Sequence, residues 1–362
     1  MRAASAWRRR WPEWVGYAAA GWSLAYGALG LYWALGGAGF PFGEGDPLSA
    51  LSVLDGVRAE AGAPVIAGLG FVGAVVALAM VRVWGRSILR AVLLVLACLA
   101  AAVLALVILD YRVLVAVAYA PIVLISVPFG WPPGSFSDAV PWPVVNQFVC
   151  IAGGLLWAAT AVDYGRRSRS ACANCGRTDA AHDWTTPAAA ARWGGWAVLV
   201  AVVIPVLYAV TRWAWALGIP LGISEEFLRE GQESGLWLAG SALATIAVGG
   251  AVLTLGLVRG WGEVFPRWIP FLATRRVPVW LAVVPASLVS VLVTQAGLMY
   301  VRLTLDGTLV EEFGRGDAAL TSENWAALGP ELLWPVWGVA LGAATLAYYY
   351  RRRDTCGWCG RG

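Results

Sequence analysis

Two Cys-x-x-Cys-Gly turns carry the sharpest chemistry in the sequence: Cys172-Ala-Asn-Cys175-Gly176 and Cys356-Gly-Trp-Cys359-Gly360. Each offers two thiolates from one tight turn, and a closed structural zinc site takes four such ligands. The sequence therefore predicts one structural zinc held by Cys172, Cys175, Cys356 and Cys359. The two turns are 184 residues apart, far beyond the about 15–20 residues of a zinc ribbon, so only the fold can bring them together. A redox dithiol is the rival, because Cys-x-x-Cys alone allows it, although no thioredoxin-like βαβ pattern surrounds either pair. Unlinked thiols or two separate sites stay open too. His182, the single histidine, could coordinate, but a lone loop histidine is more often solvated. Cys98 and Cys150 lie inside apolar runs and read as small core residues.

Ionisable groups inside apolar stretches are costly and often functional. Arg212 is the foremost one. It reads either as a solute-binding group or as a structural one, snorkelling outward or paired with Asp110 or Glu331. Asp110 and Arg112 read as an ordinary surface pair, and Asn146, Gln147 and Gln295 as bonding neighbouring helices. Arg212, Asp110, Asn146, Gln295 and Glu331 thus form the candidate polar set, for substrate or for structure. Glu225, Glu226, Glu230 and Glu233 read as a solvated acidic turn rather than a cation site. No paired carboxylates, Ser-His-Asp set or metal-binding histidines stand out, so no catalytic residue is assigned.

The elements that must position these groups are membrane helices. Of 362 residues 59% are hydrophobic and 13% charged, with mean hydropathy +0.68, against about 25% charged in soluble domains. Apolar runs near the length of a bilayer crossing recur along the chain. The fold class is all-α and polytopic, with about eight transmembrane helices at 15–35, 63–83, 88–109, 144–163, 195–217, 236–258, 278–300 and 331–350. The first run is long and studded with Trp and Tyr, unlike a cleaved signal peptide. The stretch 113–127 is short for a crossing and reads as an outer half-helix. Ser224 caps a short helix before Glu225 and Glu226. Many of the 22 tryptophans sit at run ends, as in interfacial belts.

Placing 20 of the 26 basic residues, all arginine, on one side puts both termini in the cytoplasm. The net charge of +4 is spread over membrane flanks and gives no nucleic-acid signal.

Three blocks recur in order. Tyr26–Gly36 matches Tyr208–Gly218, Gly73–Gly85 matches Gly250–Gly262, and Ala158–Arg167 matches Ala343–Arg352, at offsets of 182, 177 and 185. Chance likeness of Ala/Leu/Val-rich helices is the alternative, against which stand the shared order and the shared non-apolar residues. The reading is two four-helix repeats, 1–177 and 178–362. Each ends in a cysteine knuckle, and an axis along the membrane normal relates the two.

The wording Arg212-Trp-Ala-Trp-Ala-Leu-Gly-Ile-Pro-Leu-Gly, Glu225-Glu-Phe-Leu-Arg-Glu-Gly and Trp261-Gly-Glu-Val-Phe-Pro-Arg-Trp-Ile-Pro resembles a multi-pass integral membrane protein family of actinobacteria. The resemblance brings a plasma-membrane location and no activity or catalytic residue. The bilayer is the first partner expected. The functional reading is solute transport at the repeat interface; the alternatives are a scaffold or sensor meeting a cytosolic protein through zinc-braced loops, and a membrane enzyme on a lipid-linked substrate.

Overall fold

The computed structural model describes residues 10–82, 87–126, 140–178, 183–307, 324–353 and 355–361. His182, most of the proline-rich segment after 127, and residues 308–323 of the acidic loop lie outside them. The protein is all-α and polytopic: seven of its described helices are long and apolar enough to cross a membrane, and no strand longer than a single bridge appears among the described residues. The chain divides into two units. One holds 1–113, 126–181 and 354–362; the other holds 114–125 and 182–353.

The first unit is built from α1 (Trp11–Ala34), α2 (Ala59–Arg82), α3 (Ser87–Ala102, extended by a π turn over Val103–Val107) and α5 (Trp142–Ser168). α1 packs on α2 and on α5, and α3 packs on α5. Indole N–H groups pin α5: Trp157 donates to Ser23 Oγ at 3.2 Å, and Trp22 donates from α1 to the Val149 carbonyl at 3.1 Å. α1 has 24 residues, about 36 Å at 1.5 Å per residue, which is long enough to span. Trp, Tyr and Gly dilute its hydropathy, so it stands outside the seven.

The second unit repeats this adjacency with α6 (Pro187–Ala216), α8 (Leu236–Leu255), α9 (Val279–Asp306) and α11 (Trp334–Arg352). α6 packs on α8 and α11, and α9 packs on α11. Two short helices, α7 (Glu225–Glu233) and α10 (Trp325–Leu332), close one end. α6 begins eight residues before the apolar run suggests. Thr186 accepts from the Ala189 N–H at 3.3 Å and Pro187 takes the first helical position, where its missing N–H costs nothing. α7 is capped as the sequence predicts, with Ser224 Oγ accepting from the Phe227 N–H at 3.2 Å.

α1 and α6 end alike. Leu35-Gly36 and Leu217-Gly218 terminate them with glycine at φ +89° and +83°. The Gly37 N–H then reaches the Tyr32 carbonyl, and the Ile219 N–H the Ala214 carbonyl, as a left-handed C-cap requires.

α4 (Tyr111–Ser126) spans the ambiguous stretch. Its 16 residues rise about 24 Å, short of the about 30 Å hydrocarbon core. The chain leaves α3 at Asp110 and re-enters α5 beside it, where the Asp110 N–H donates to Gln147 Oε1 at 3.2 Å. Asp110 and Gln147, which flank this stretch, therefore meet at one end of the first unit.

Within each unit arginines gather at one end. In the first, Arg167 donates to the Met80 and Val81 carbonyls ending α2, Arg90 at the start of α3 donates to the Ser168 carbonyl, and Arg166 lies over Trp11. In the second, Arg351 donates to the Leu257 carbonyl, and Arg352 to those of Gly262 and Val277. These guanidinium groups satisfy carbonyls at helix ends in the first unit and in the loop between α8 and α9 in the second.

Candidate metal centre

α5 delivers the first knuckle. Its last turn closes with Ser170 at φ +54°, and the Ala171 N–H reaches back to the Arg166 carbonyl at 3.0 Å. This is a glycine-type helix stop carried by serine. The Arg166 side chain then donates to the Ala173 and Asn174 carbonyls at 2.9 and 3.0 Å, so the knuckle is held onto the helix that precedes it. In the turn itself the Gly176 N–H donates to the Cys172 carbonyl at 2.7 Å, and the Cys172 N–H to the Arg177 carbonyl at 3.0 Å.

The second knuckle reproduces this bond for bond. The Gly360 N–H donates to the Cys356 carbonyl at 2.8 Å, and the Cys356 N–H to the Arg361 carbonyl at 2.8 Å. Gly176 and Gly360 have φ of +73° and +71°, a left-handed conformation that would strain a residue carrying Cβ.

The knuckles are also bonded to each other reciprocally. Arg177 donates to the Arg361 carbonyl at 2.6 Å, and Arg361 to the Arg177 carbonyl at 3.2 Å. Cys172 and Cys356 Sγ lie 4.0 Å apart, and Cys175 and Cys359 Sγ 3.7 Å apart. All four sulfurs fall within 4.8 Å of one another. Four sulfurs at the zinc–thiolate distance of about 2.3 Å form a tetrahedron with edges near 3.8 Å. The separations are far too long for a disulfide, whose sulfurs sit about 2.05 Å apart. The four cysteines could therefore hold a metal ion, with every tetrahedral position taken by sulfur. All four lie in the first unit, because 354–362 clusters there.

Burial pushes the Cys356 thiol up, but donation from the Cys359 and Trp358 N–H groups and from neighbouring thiols outweighs it and brings the group down to about 6. Cys175 is pushed up to about 12, first by burial and then by the surrounding thiols, against a lowering backbone bond from Arg177. Negative charge is thus more easily placed on Cys356 than on Cys175, and a bound cation would favour the thiolate form throughout the set.

The candidate polar residues meet partners within their own units. Arg212 is buried and pairs with Glu331. It also donates to the Ala326 and Ala327 carbonyls at 3.1 Å each and to Thr211 Oγ1 at 3.2 Å. Its guanidinium lies over Tyr208 and Trp215, 4.6 and 4.2 Å from the ring centres. Asn146 accepts from the Tyr26 hydroxyl at 2.9 Å. Gln295 is fully buried in α9.

Asp110 is a correction to the sequence reading. It is a buried group, not half of a surface pair, and Arg112 joins it to Asp46 with bonds of 2.5 Å to each carboxylate. Gln147 donates to the same Asp110 carboxylate at 2.5 Å. Asp46 lies in a Gly/Pro-rich stretch with no periodicity, so no sequence signal pointed to it. Cys150 is buried as expected, whereas Cys98 faces outward from α3. Glu225, Glu226, Glu230 and Glu233 are exposed. The Arg177 and Arg361 cross-bonds were missed too, although both residues follow their Cys-x-x-Cys-Gly at the shared offset of 184.

No family model, curated protein or solved structure matches this chain.

Proposed function

We propose that the protein is a non-enzymatic membrane scaffold in which one structural zinc clasps the C-terminal tail to the loop following α5. The observation that carries this reading is the reciprocal pair of knuckles converging four sulfurs. A site filled by protein thiolates has no open position for water or substrate, which is the mark of a structural rather than a catalytic zinc. The arginine-rich helix ends support placing this face, and both termini, on the cytoplasmic side of a plasma membrane. The matching helix adjacency of the two units supports descent by duplication, with α1 counted as the eighth span. Membership of the actinobacterial family rests on the wording of 212–270 alone. The scaffold presents its clasped knuckles to a cytosolic protein partner. The test is limited trypsin digestion of the purified chain. With zinc bound the tail resists cleavage after Arg353, and chelation opens it; equal cleavage in both states removes the clasp from the account.

Solute transport is the second reading. One observation favours it: the buried Glu331 Oε2 and Trp334 Nε1 have no hydrogen-bond partner among the described residues, although Arg212 itself is engaged by its own chain. Proteoliposomes loaded with a pH-sensitive dye test it under an imposed potential. A proton flux that Glu331→Gln abolishes would support transport through this unit. A chain that carries no protons faster than empty vesicles would retire the proton-coupled form.

A further inference from the structure

Between α8 and α9 the chain builds a small finger that the metal centre does not use. Its base is a two-sided backbone ladder. Val264 and Arg276 form an antiparallel bridge, the Phe265 N–H donates to the Arg275 carbonyl at 3.0 Å, the Thr274 N–H to the Phe265 carbonyl at 3.0 Å, and the Val277 N–H to the Glu263 carbonyl at 2.9 Å. The base is fastened to the end of α11. Tyr348 Oη donates to the Gly262 carbonyl at 2.7 Å, Arg351 pairs with Glu263 at 3.0 Å, and Arg352 donates to the Val277 carbonyl at 3.1 Å.

The tip, in contrast, is turned out. Phe271 is 92% exposed and Trp268 81%, the two most exposed aromatic side chains among the described residues. Phe271 and Thr274 both take positive φ, +65° and +63°, a region that aromatic and β-branched residues rarely occupy. Strained residues persist where the surroundings hold them for a purpose. Phe271 combines that conformation with a side chain turned out from the protein. Arg267, Arg275 and Arg276 are exposed on the same finger, and none of them has a carboxylate partner among the described residues.

A rigid base, two outward aromatic rings and three unpaired guanidinium groups fit one surface. Aromatic rings settle at the depth of lipid headgroups, and arginines bond phosphate oxygens in a fixed fork. The finger joins two spans, so the headgroup layer is within its reach. We propose that residues 264–276 form a binding site for anionic glycerophospholipids, with Trp268 and Phe271 seated in the interface and Arg267, Arg275 and Arg276 on the headgroup phosphates. The finger ends up beside the arginine-rich close of α11, the side where an anionic leaflet gives each basic residue its pull. The arrangement is independent of whether the cysteines hold zinc.

The experiment uses the full chain in nanodiscs of phosphatidylcholine alone and of phosphatidylcholine mixed with phosphatidylglycerol. Both are made with chains brominated near the headgroup. The emission difference between the unmodified chain and Trp268→Phe isolates Trp268. The expected result is a quenching of that difference signal roughly two-fold or more stronger with phosphatidylglycerol, lost in Arg267→Gln/Arg275→Gln/Arg276→Gln and weakened by salt. Native mass spectrometry should show the same triple variant retaining fewer phosphatidylglycerol molecules per chain, with its helical circular dichroism unchanged. Equal quenching in both lipid mixtures, a Trp268 signal that stays open to aqueous iodide, or undiminished lipid retention in the triple variant would each overturn the proposal.

Discussion

Tyr26 in the first unit and Tyr208 in the second stand at the offset of 182, each about two helical turns before a buried tryptophan, Trp33 and Trp215. Their partners differ. Tyr26 meets the neutral Asn146, while Tyr208 lies under Arg212, which pairs with Glu331. Asn146 and Glu331 are themselves related by the offset of 185 that links α5 to α11. One unit therefore buries a neutral hydrogen bond where the other buries an ion pair. The knuckles show the opposite behaviour: the glycine φ values agree within 2°, the turn bonds within 0.2 Å, and each arginine donates to the other's carbonyl. The contrast teaches what each place tolerates. A buried polar cluster needs only that its groups be satisfied, and neutral and charged solutions both do that. A tetrahedral thiolate site allows little change of ligand type or turn geometry.

The largest effect should come from the conserved geometry of the clasp. Structural zinc contributes about 10–16 kcal/mol in apparent binding free energy. Cys172→Ser and Cys356→Ser should each lower bound zinc from about one per chain to near none, by metal analysis of purified protein. Loss from one variant only would break the equivalence of the two knuckles.

Next comes the charged cluster. Glu331→Leu leaves Arg212 buried without its counter-ion and should cost about 3–5 kcal/mol in reversible unfolding. Arg212→Met combined with Glu331→Leu should recover most of that loss. Additive losses would mean that the pair is not coupled.

The helix-end arginines test likeness rather than difference. Arg167 reaches the Met80 carbonyl and Arg351 the Leu257 carbonyl, two carbonyls related by the offset of 177. Arg167→Gln and Arg351→Gln should each cost about 1–2 kcal/mol, since charge-assisted bonds are the stronger kind and both groups are partly solvated. A large effect from one and none from the other would show that the two ends are held differently. The smallest change is Tyr26→Phe, which removes one neutral bond and should cost about 1 kcal/mol or less. A loss equal to that of Glu331→Leu would erase the contrast between the two clusters.

Much of this was legible because it is periodic or punctuated. Apolar runs mark α2, α3, α5, α6, α8 and α9, and Ser224 before two glutamates marks α7. The paired Cys-x-x-Cys-Gly turns mark the four-cysteine cluster without any knowledge of the path between them. What stayed hidden depends on distance in space. Asp46 carries no local sign of its bond to Arg112, 66 residues away. The early start of α6 hides in an Ala-rich stretch that hydropathy reads as loop, although Thr186-Pro187 is a cap signal. Cys98 lies in a run apolar on every side, where periodicity cannot separate a core face from a lipid face.

The central claim is that two distant turns share one ion through sulfur alone. X-ray absorption at the zinc edge of the purified, unmodified chain tests it directly. The account predicts about one zinc per chain with four sulfur neighbours at about 2.3 Å and no nitrogen or oxygen in the first shell. Less than about half an equivalent of zinc, or a shell containing light ligands, would contradict it.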